Sequence, residues 1–249
     1  MLAPKRIGTL HGFAGAETDF DFLSFLGAIP RETFLACPYI NEGFQLQESS
    51  DCWDRWGRWF SQWIADGGIT HLLGYSMGGR FILQYLTRLD LPKTLRKVIL
   101  IGASLPIDSP EERKKRLAWD KHWIQLIKDQ GVAVFLKEWK RQPLLASQEN
   151  IPEPLKTQLL RSQRFLDPKE LLFSLQRFSP ARMPLGHYQA TPVVAIDYIY
   201  GQKDTKYKLV AENLQSRYPG IQVHEIPNAG HAAHWENPIA FLGCLSALW

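Results

Sequence analysis

The chain has 249 residues, 45% of them hydrophobic and 12% aromatic, a composition that suits one large α/β domain and excludes disorder over most of its length. Its net charge of +4 is small and its acids are interspersed among the bases, which gives no footprint for nucleic acid. No apolar stretch approaches the roughly 18 to 20 residues of a membrane span, and Met1 to Arg6 has no signal-peptide core, so a cytoplasmic protein without a membrane span is expected.

In chain order, short β-branched or apolar runs alternate with longer amphipathic ones, the pattern of a parallel sheet with crossover helices. Six strands are predicted: Arg6 to Leu10, Thr33 to Cys37, Ile69 to Gly74, Lys97 to Gly102, Pro192 to Tyr200 and Ile221 to Ile226. Helical periodicity marks Asp19 to Leu26, Cys52 to Ile64, Met77 to Leu89, Lys206 to Arg217 and Pro238 to Leu248. Trp53, Trp56, Trp59 and Trp63 recur at helical spacing and read mostly as core. The architecture expected is an open, mostly parallel α/β sheet of about six strands, from residues 1–104 and 191–249, interrupted by a helical cap over 105–190. That segment holds a net +5 while the rest of the chain sums to −1. It opens on Ser109, Pro110 and Glu112, a capping box with proline at the first helical position, and prolines at 143, 152, 154, 168, 180 and 184 divide it into short helices.

Three residues stand just past predicted strand ends, where sites form in open parallel sheets. Gly74-Tyr75-Ser76-Met77-Gly78 lies where a strand turns into a helix, the setting in which G-x-S-x-G lifts a serine hydroxyl above the sheet edge. Asp204 closes Gly201-Gln202-Lys203-Asp204, and His231 follows Ala229-Gly230. The order Ser, Asp, His is that of a serine activated by an acid-oriented imidazole. Asp197 is a competing acid, but it falls inside a strand. After the first strand comes Leu10-His11-Gly12-Phe13, where the backbone N–H of Phe13 could join that of Met77 as an oxyanion hole. Arg80 follows Ser76 by one helical turn, where a buried cation needs either a carboxylate partner or an anionic substrate. Arg113 and Arg116 share one face of the first cap helix, pointing at the site or at solvent, with solvent favoured by periodicity alone. His231 and His234 lack a third ligand of suitable spacing, and Cys37, Cys52 and Cys244 have neither metal nor redox spacing, so no metal, cofactor or disulfide is expected.

These motifs resemble those of the α/β-hydrolase-fold family. More narrowly they resemble the 2-succinyl-6-hydroxy-2,4-cyclohexadiene-1-carboxylate synthases of menaquinone and phylloquinone biosynthesis. The narrower resemblance also draws on Gly15, Gly79-Arg80, Glu111 to Arg116 with Asp120, Trp139 before Gln142-Pro143, Lys206, and Glu236-Asn237-Pro238, and runs nearly end to end. It implies a cofactor-independent lyase that eliminates pyruvate from a small polycarboxylate, with Ser76, Asp204 and His231 catalytic. It implies further that Tyr75 sits beside the serine and that Arg80, Arg116, Trp139 and Arg161 line the substrate site. The alternatives are a serine hydrolase of carboxylic esters or carbon–carbon bonds, which the same triad would serve, and a silent binding protein, which loss of a triad member would have signalled.

Overall fold

The computed structural model describes residues 5–26, 30–38, 52–88, 91–185 and 194–248. Six parallel strands form one sheet in the order β2-β1-β3-β4-β5-β6, with β1 at Ile7–Leu10, β2 at Phe34–Ala36, β3 at His71–Tyr75, β4 at Lys97–Ile101, β5 at Ala195–Gly201 and β6 at Gln222–Ile226. Every predicted strand is present, each trimmed at one or both ends; the start of the fifth, at 192–193, lies outside the described residues.

The inner strands are apolar throughout because both faces of the sheet are covered. Alternate residues go to opposite layers. Leu72, Val98, Leu100 and Tyr198 pack with Trp56 and Phe60 of α2 (Cys52–Asp66), Phe81 and Ile82 of α3 (Met77–Tyr85), and Ala211 and Leu214 of a later helix, Thr205–Arg217. Leu73, Ile99, Ile101 and Ile199 pack on the other face with Phe22 and Leu23 of the short α1 (Phe22–Phe25) and with Trp235, Phe241 and Leu245 near the C-terminus. Trp59 and Trp63 lie half-buried against the first of these layers. The predicted helix over Asp19 to Leu26 is two short pieces, a 3-10 turn at Glu17–Phe20 and α1. The helix after Ser76 stops at Tyr85, where the Thr87 hydroxyl donates to the Gln84 carbonyl in a closing turn.

Between β4 and β5 the described chain is helical: α4 (Pro110–Trp139), α5 (Glu153–Ser162) and α6 (Pro168–Arg177), with a 3-10 stretch at Pro143–Asn150. Ser109 caps α4 by accepting from the Glu112 amide at 3.3 Å, as expected, but its hydroxyl donates to Glu111 at 2.9 Å, while Glu112 pairs with Lys115. Gly131, at φ 79° and ψ 174°, breaks α4 in two, a conformation that favours glycine. The second half folds back so that Phe135 and Trp139 meet Trp123 at ring separations of 5.7 and 5.1 Å. After β5 come α7 (Thr205–Arg217), α8 (Ala233–Glu236) and α9 (Pro238–Leu248).

The strand order reverses direction between β1 and β3, whose carboxyl ends carry His11 to Phe13 and Ser76. Such a switch point is where an open α/β sheet leaves a crevice.

Candidate active site

Ser76 sits at the turn from β3 into α3 with φ 49° and ψ −105°, a backbone that side chains other than glycine rarely adopt. The turn is held from both sides, by the Ser76 amide donating to the Ile101 carbonyl at 2.7 Å and the Gly78 amide donating to His11 at 3.0 Å. A Cβ on Gly78 would collide with the Leu10 carbonyl, so β1 and the serine turn can approach this closely only with glycine there.

His231 arrives from the loop after β6, and its Nε2 lies 2.9 Å from Ser76 Oγ. Its Nδ1 is 2.8 Å from Asp204 Oδ2. Asp204 is also the N-cap of α7, its Oδ1 accepting from the Tyr207 amide at 3.2 Å, so one side chain starts a helix and orients an imidazole. Tyr207 and Tyr75 flank the His231 ring at 4.5 and 5.3 Å, and Gly102 leaves room for its edge. Asp197, the competing acid, is engaged by Lys97 at 3.1 Å and His224 at 2.7 Å. A serine bonded to a neutral imidazole nitrogen, with a carboxylate on the other nitrogen, can deliver or receive a proton at the serine oxygen.

The Ser76 hydroxyl opens into a cavity of about 680 Å³, roofed by Trp119, Trp139, Gln142 to Leu145 and Leu175 of the helical segment, with Phe13 and Met77 beside the serine. Cations from three elements line it: Arg80 of α3, Arg116 of α4 and Lys206 of α7. Arg80 is buried and its Nη2 donates to the Phe178 carbonyl at 2.8 Å. Arg116 is fixed by Asp120, which takes its Nε at 2.8 Å and the Ser179 hydroxyl at 2.5 Å, while its guanidinium lies 4.4 Å over the Trp119 ring. Lys206 has its ammonium pKa pushed down by desolvation and by Arg116 and Arg80, against the pull of Asp204. Positive charge crowded this way favours an anion between the three groups.

The alpha/beta hydrolase family profile matches residues 10–243 of this arrangement. The chain belongs to the alpha/beta hydrolase family. Among curated relatives it is 31% identical over 196 residues to 2-succinyl-6-hydroxy-2,4-cyclohexadiene-1-carboxylate synthase of Enterobacter sp. (strain 638), spanning 76% of this chain and 72% of that one. Among solved structures, MenH from S. aureus superposes with a TM-score of 0.83 at 19% identity, covering 98% of this chain and 92% of that one. A thermophilic esterase from Thermogutta terrifontis gives 0.68 at 16% identity, with 98% and 89% covered. The chain is thus an enzyme of the α/β-hydrolase fold that resembles the synthases.

Within this family frame the sequence-predicted residues sort by position. Ser76, Asp204 and His231 form one hydrogen-bonded chain, and Phe13, Met77, Arg80, Arg116 and Trp139 line the large cavity. Tyr75 adjoins the serine and lines a smaller pocket of about 70 Å³ with Gly12, Asp19 and His231, which shares Ser76, Phe13 and Trp139 with the large cavity. Burial there pushes the Asp19 carboxyl up to about 7. Arg113 turns aside, its Nε donating to the Ile107 carbonyl at 2.5 Å. Arg161 is exposed on α5 and is outside the lining of both cavities. Leu155 and Leu159 are the α5 residues that pack on the core, and a position two residues further falls on the opposite side of the helix. His234 is buried among aromatic rings, 4.4 Å from Tyr75 and 5.3 Å from Phe20, and burial pushes its pKa well below the usual range. Lys206 is the residue that sequence reasoning left without a role. Its signal was its place in the first turn of a helix whose N-cap is Asp204.

Proposed function

We propose that this enzyme is a lyase that eliminates pyruvate from 2-succinyl-5-enolpyruvyl-6-hydroxy-3-cyclohexene-1-carboxylate to give 2-succinyl-6-hydroxy-2,4-cyclohexadiene-1-carboxylate. The observation that carries the proposal is the convergence of Arg80, Arg116 and Lys206 on the cavity that holds the serine hydroxyl. A neutral ester has no use for three cations, whereas a substrate with several carboxylates needs them. The synthase relatives support the same choice of substrate.

In the proposed reaction His231 takes the Ser76 proton and Asp204 stabilises the resulting imidazolium. The serine oxygen removes the ring proton at C2, beside the succinyl carbonyl; the electron pair left there forms the C2=C3 bond, the C3=C4 pair shifts to C4=C5, and the C5–O bond to the enolpyruvyl group breaks. Pyruvate leaves as its enolate and collects a proton from the imidazolium, so that protons balance without water or an electron acceptor. The backbone N–H groups of Phe13 and Met77 hold the charge that develops on the succinyl carbonyl. The helical segment between β4 and β5 serves as a cap that supplies Arg116 and Trp139 and keeps water from the charged centre.

The test is to supply the enolpyruvyl-bearing substrate and, separately, a neutral aryl ester. Pyruvate release well above ester cleavage is expected. Ester cleavage without pyruvate release would transfer the same serine to the hydrolase reading, through an acyl-enzyme.

A further inference from the structure

The strip of chain that carries His231 is tied down by one carboxylate outside the proposed triad. Glu236 Oε2 accepts from the Gly230 amide at 2.6 Å, and Oε1 accepts from the Ala232 amide at 3.1 Å. The N–H groups immediately before and after His231 therefore converge on one side chain, itself only 7% exposed. The same Oε1 receives the Ser147 hydroxyl at 3.0 Å, and Ser147 belongs to the 3-10 stretch Pro143–Asn150 of the helical segment. A Cβ on Gly230 would run into Ser147, so the two regions meet here with no space between them.

A buried carboxylate is tolerated only with strong donors, and three are present. Satisfying the end of α8 would account for the bond to Ala232, the residue that precedes the helix. It does not account for Gly230, which lies outside the helix, or for a donor sent from another part of the molecule. Pro143, Leu144 and Leu145 of the Ser147 stretch also line the large cavity, so whatever occupies the cavity bears on the segment that holds Glu236.

We infer that Glu236 is a positioning residue for His231, and that Ser147 makes the seated helical segment part of the same restraint. The histidine is then held in register with Ser76 while the segment is docked, and loosened when it lifts. The inference rests on the triad assigned under the proposed function.

The test uses the full chain and the variants Glu236→Gln and Ser147→Ala. Three readouts are compared: kcat and KM for pyruvate release, the second-order rate at which a fluorophosphonate labels Ser76, and the downfield proton resonance of the His231–Asp204 hydrogen bond. Glutamine keeps one acceptor but turns an NH2 toward a backbone donor. Glu236→Gln should therefore lower both kcat and the labelling rate about tenfold, with KM within about twofold, because small misplacement of a reacting group costs rate before it costs binding. Its downfield resonance should broaden. Ser147→Ala should move the same readouts in the same direction by about threefold, and it carries the test if Glu236→Gln fails to fold. Labelling reads the activation of serine by histidine whatever the natural substrate is, so that arm decides the assignment even if no pyruvate is released. A Glu236→Gln protein that melts earlier yet labels at the wild-type rate would show a purely structural carboxylate, and wild-type labelling in Ser147→Ala would remove the helical segment from the restraint.

Discussion

The two sides of the large cavity are built by different physics. On the sheet side, Ser76 and Asp204 are placed by backbone, through a strained turn bonded to Ile101 and His11, a helix N-cap, and glycines where any side chain would collide, and the backbone amides flanking His231 are held by Glu236. On the helical side, Arg116 and Trp139 are placed by other side chains, an Asp120–Ser179 pair and a cluster of rings around Phe13, Trp119, Trp123 and Phe135. A backbone-defined site tolerates almost no adjustment. A side-chain-defined one can lose a member and repack, so substitutions on the two sides should differ in size and in selectivity.

The largest effects belong to the sheet side. Ser76→Ala, His231→Ala and Asp204→Asn should each lower turnover by several orders of magnitude while leaving the fold intact. Their losses should not add, because in the proposed reaction the three act as one proton-transfer unit. Steady-state pyruvate release combined with thermal melting checks both halves of this expectation. Near-normal turnover in Ser76→Ala would mean that the serine is neither base nor nucleophile, and the contrast between the two sides would lose its meaning.

The cations come next, and they sharpen the comparison because Arg80 and Lys206 are rooted in the sheet side while Arg116 is not. A charge-assisted hydrogen bond is worth roughly 1.5–3 kcal/mol, so replacing any one by Ala should cost about ten- to a hundredfold in kcat/KM for the polyanion. Slow cleavage of a neutral ester should stay nearly unchanged. Arg80→Lys should recover little, since an ammonium cannot reproduce both the donation to the Phe178 carbonyl and a second bond to substrate. Equal losses on the ester and the polyanion would make the arginines structural.

This contrast also explains what could be read in the sequence. The strands and the Ser76, Asp204 and His231 turns were legible because a covered parallel sheet needs continuous apolar runs and its functional turns need glycine at fixed offsets. The helical side was less so. Periodicity puts Arg113 and Arg116 on one face, yet Arg113 goes back to Ile107 while Arg116 is drawn to Asp120 one turn further on, a partnership that depends on Ser179 from beyond α6. The reversal of α4 hangs on one glycine in a long helical run, and Lys206 could be placed only through Asp204, the N-cap two residues before it.

An effect on stability rather than on turnover belongs to the 3-10 turn Glu17–Phe20 after β1. Burial raises the Asp19 carboxyl from an ordinary value near 3.8 to about 7. Between those values the unfolded chain has released this proton while the folded chain still holds it, so the native state loses stability as pH rises from about 4 to about 7 and changes little beyond. The loss is on the order of 4 kcal/mol. Asp19→Asn has no proton to release, so chemical denaturation of the two proteins should show the wild type falling relative to the variant across that window. Parallel curves from pH 4 to 8 would show that Asp19 titrates normally.

The smallest expected effect is at Arg161, and it bears most directly on how the helical side recognises substrate. Arg161 and Arg116 carry the same guanidinium, both on helices between β4 and β5, but only Arg116 is held by a buried carboxylate at the cavity wall. Arg161 is exposed on the side of α5 opposite Leu155 and Leu159, which anchor that helix to the core. Turning it inward would expose those half-buried leucines, at a cost below the roughly 1.5–3 kcal/mol that a fully buried side chain loses on returning to water. Arg161→Ala should accordingly keep kcat/KM for the polyanion within about twofold of wild type, measured beside Arg116→Ala under the same ionic strength. A tenfold loss would mean that α5 does turn when substrate binds, and that the helical side is reshaped by its ligand rather than fixed in advance.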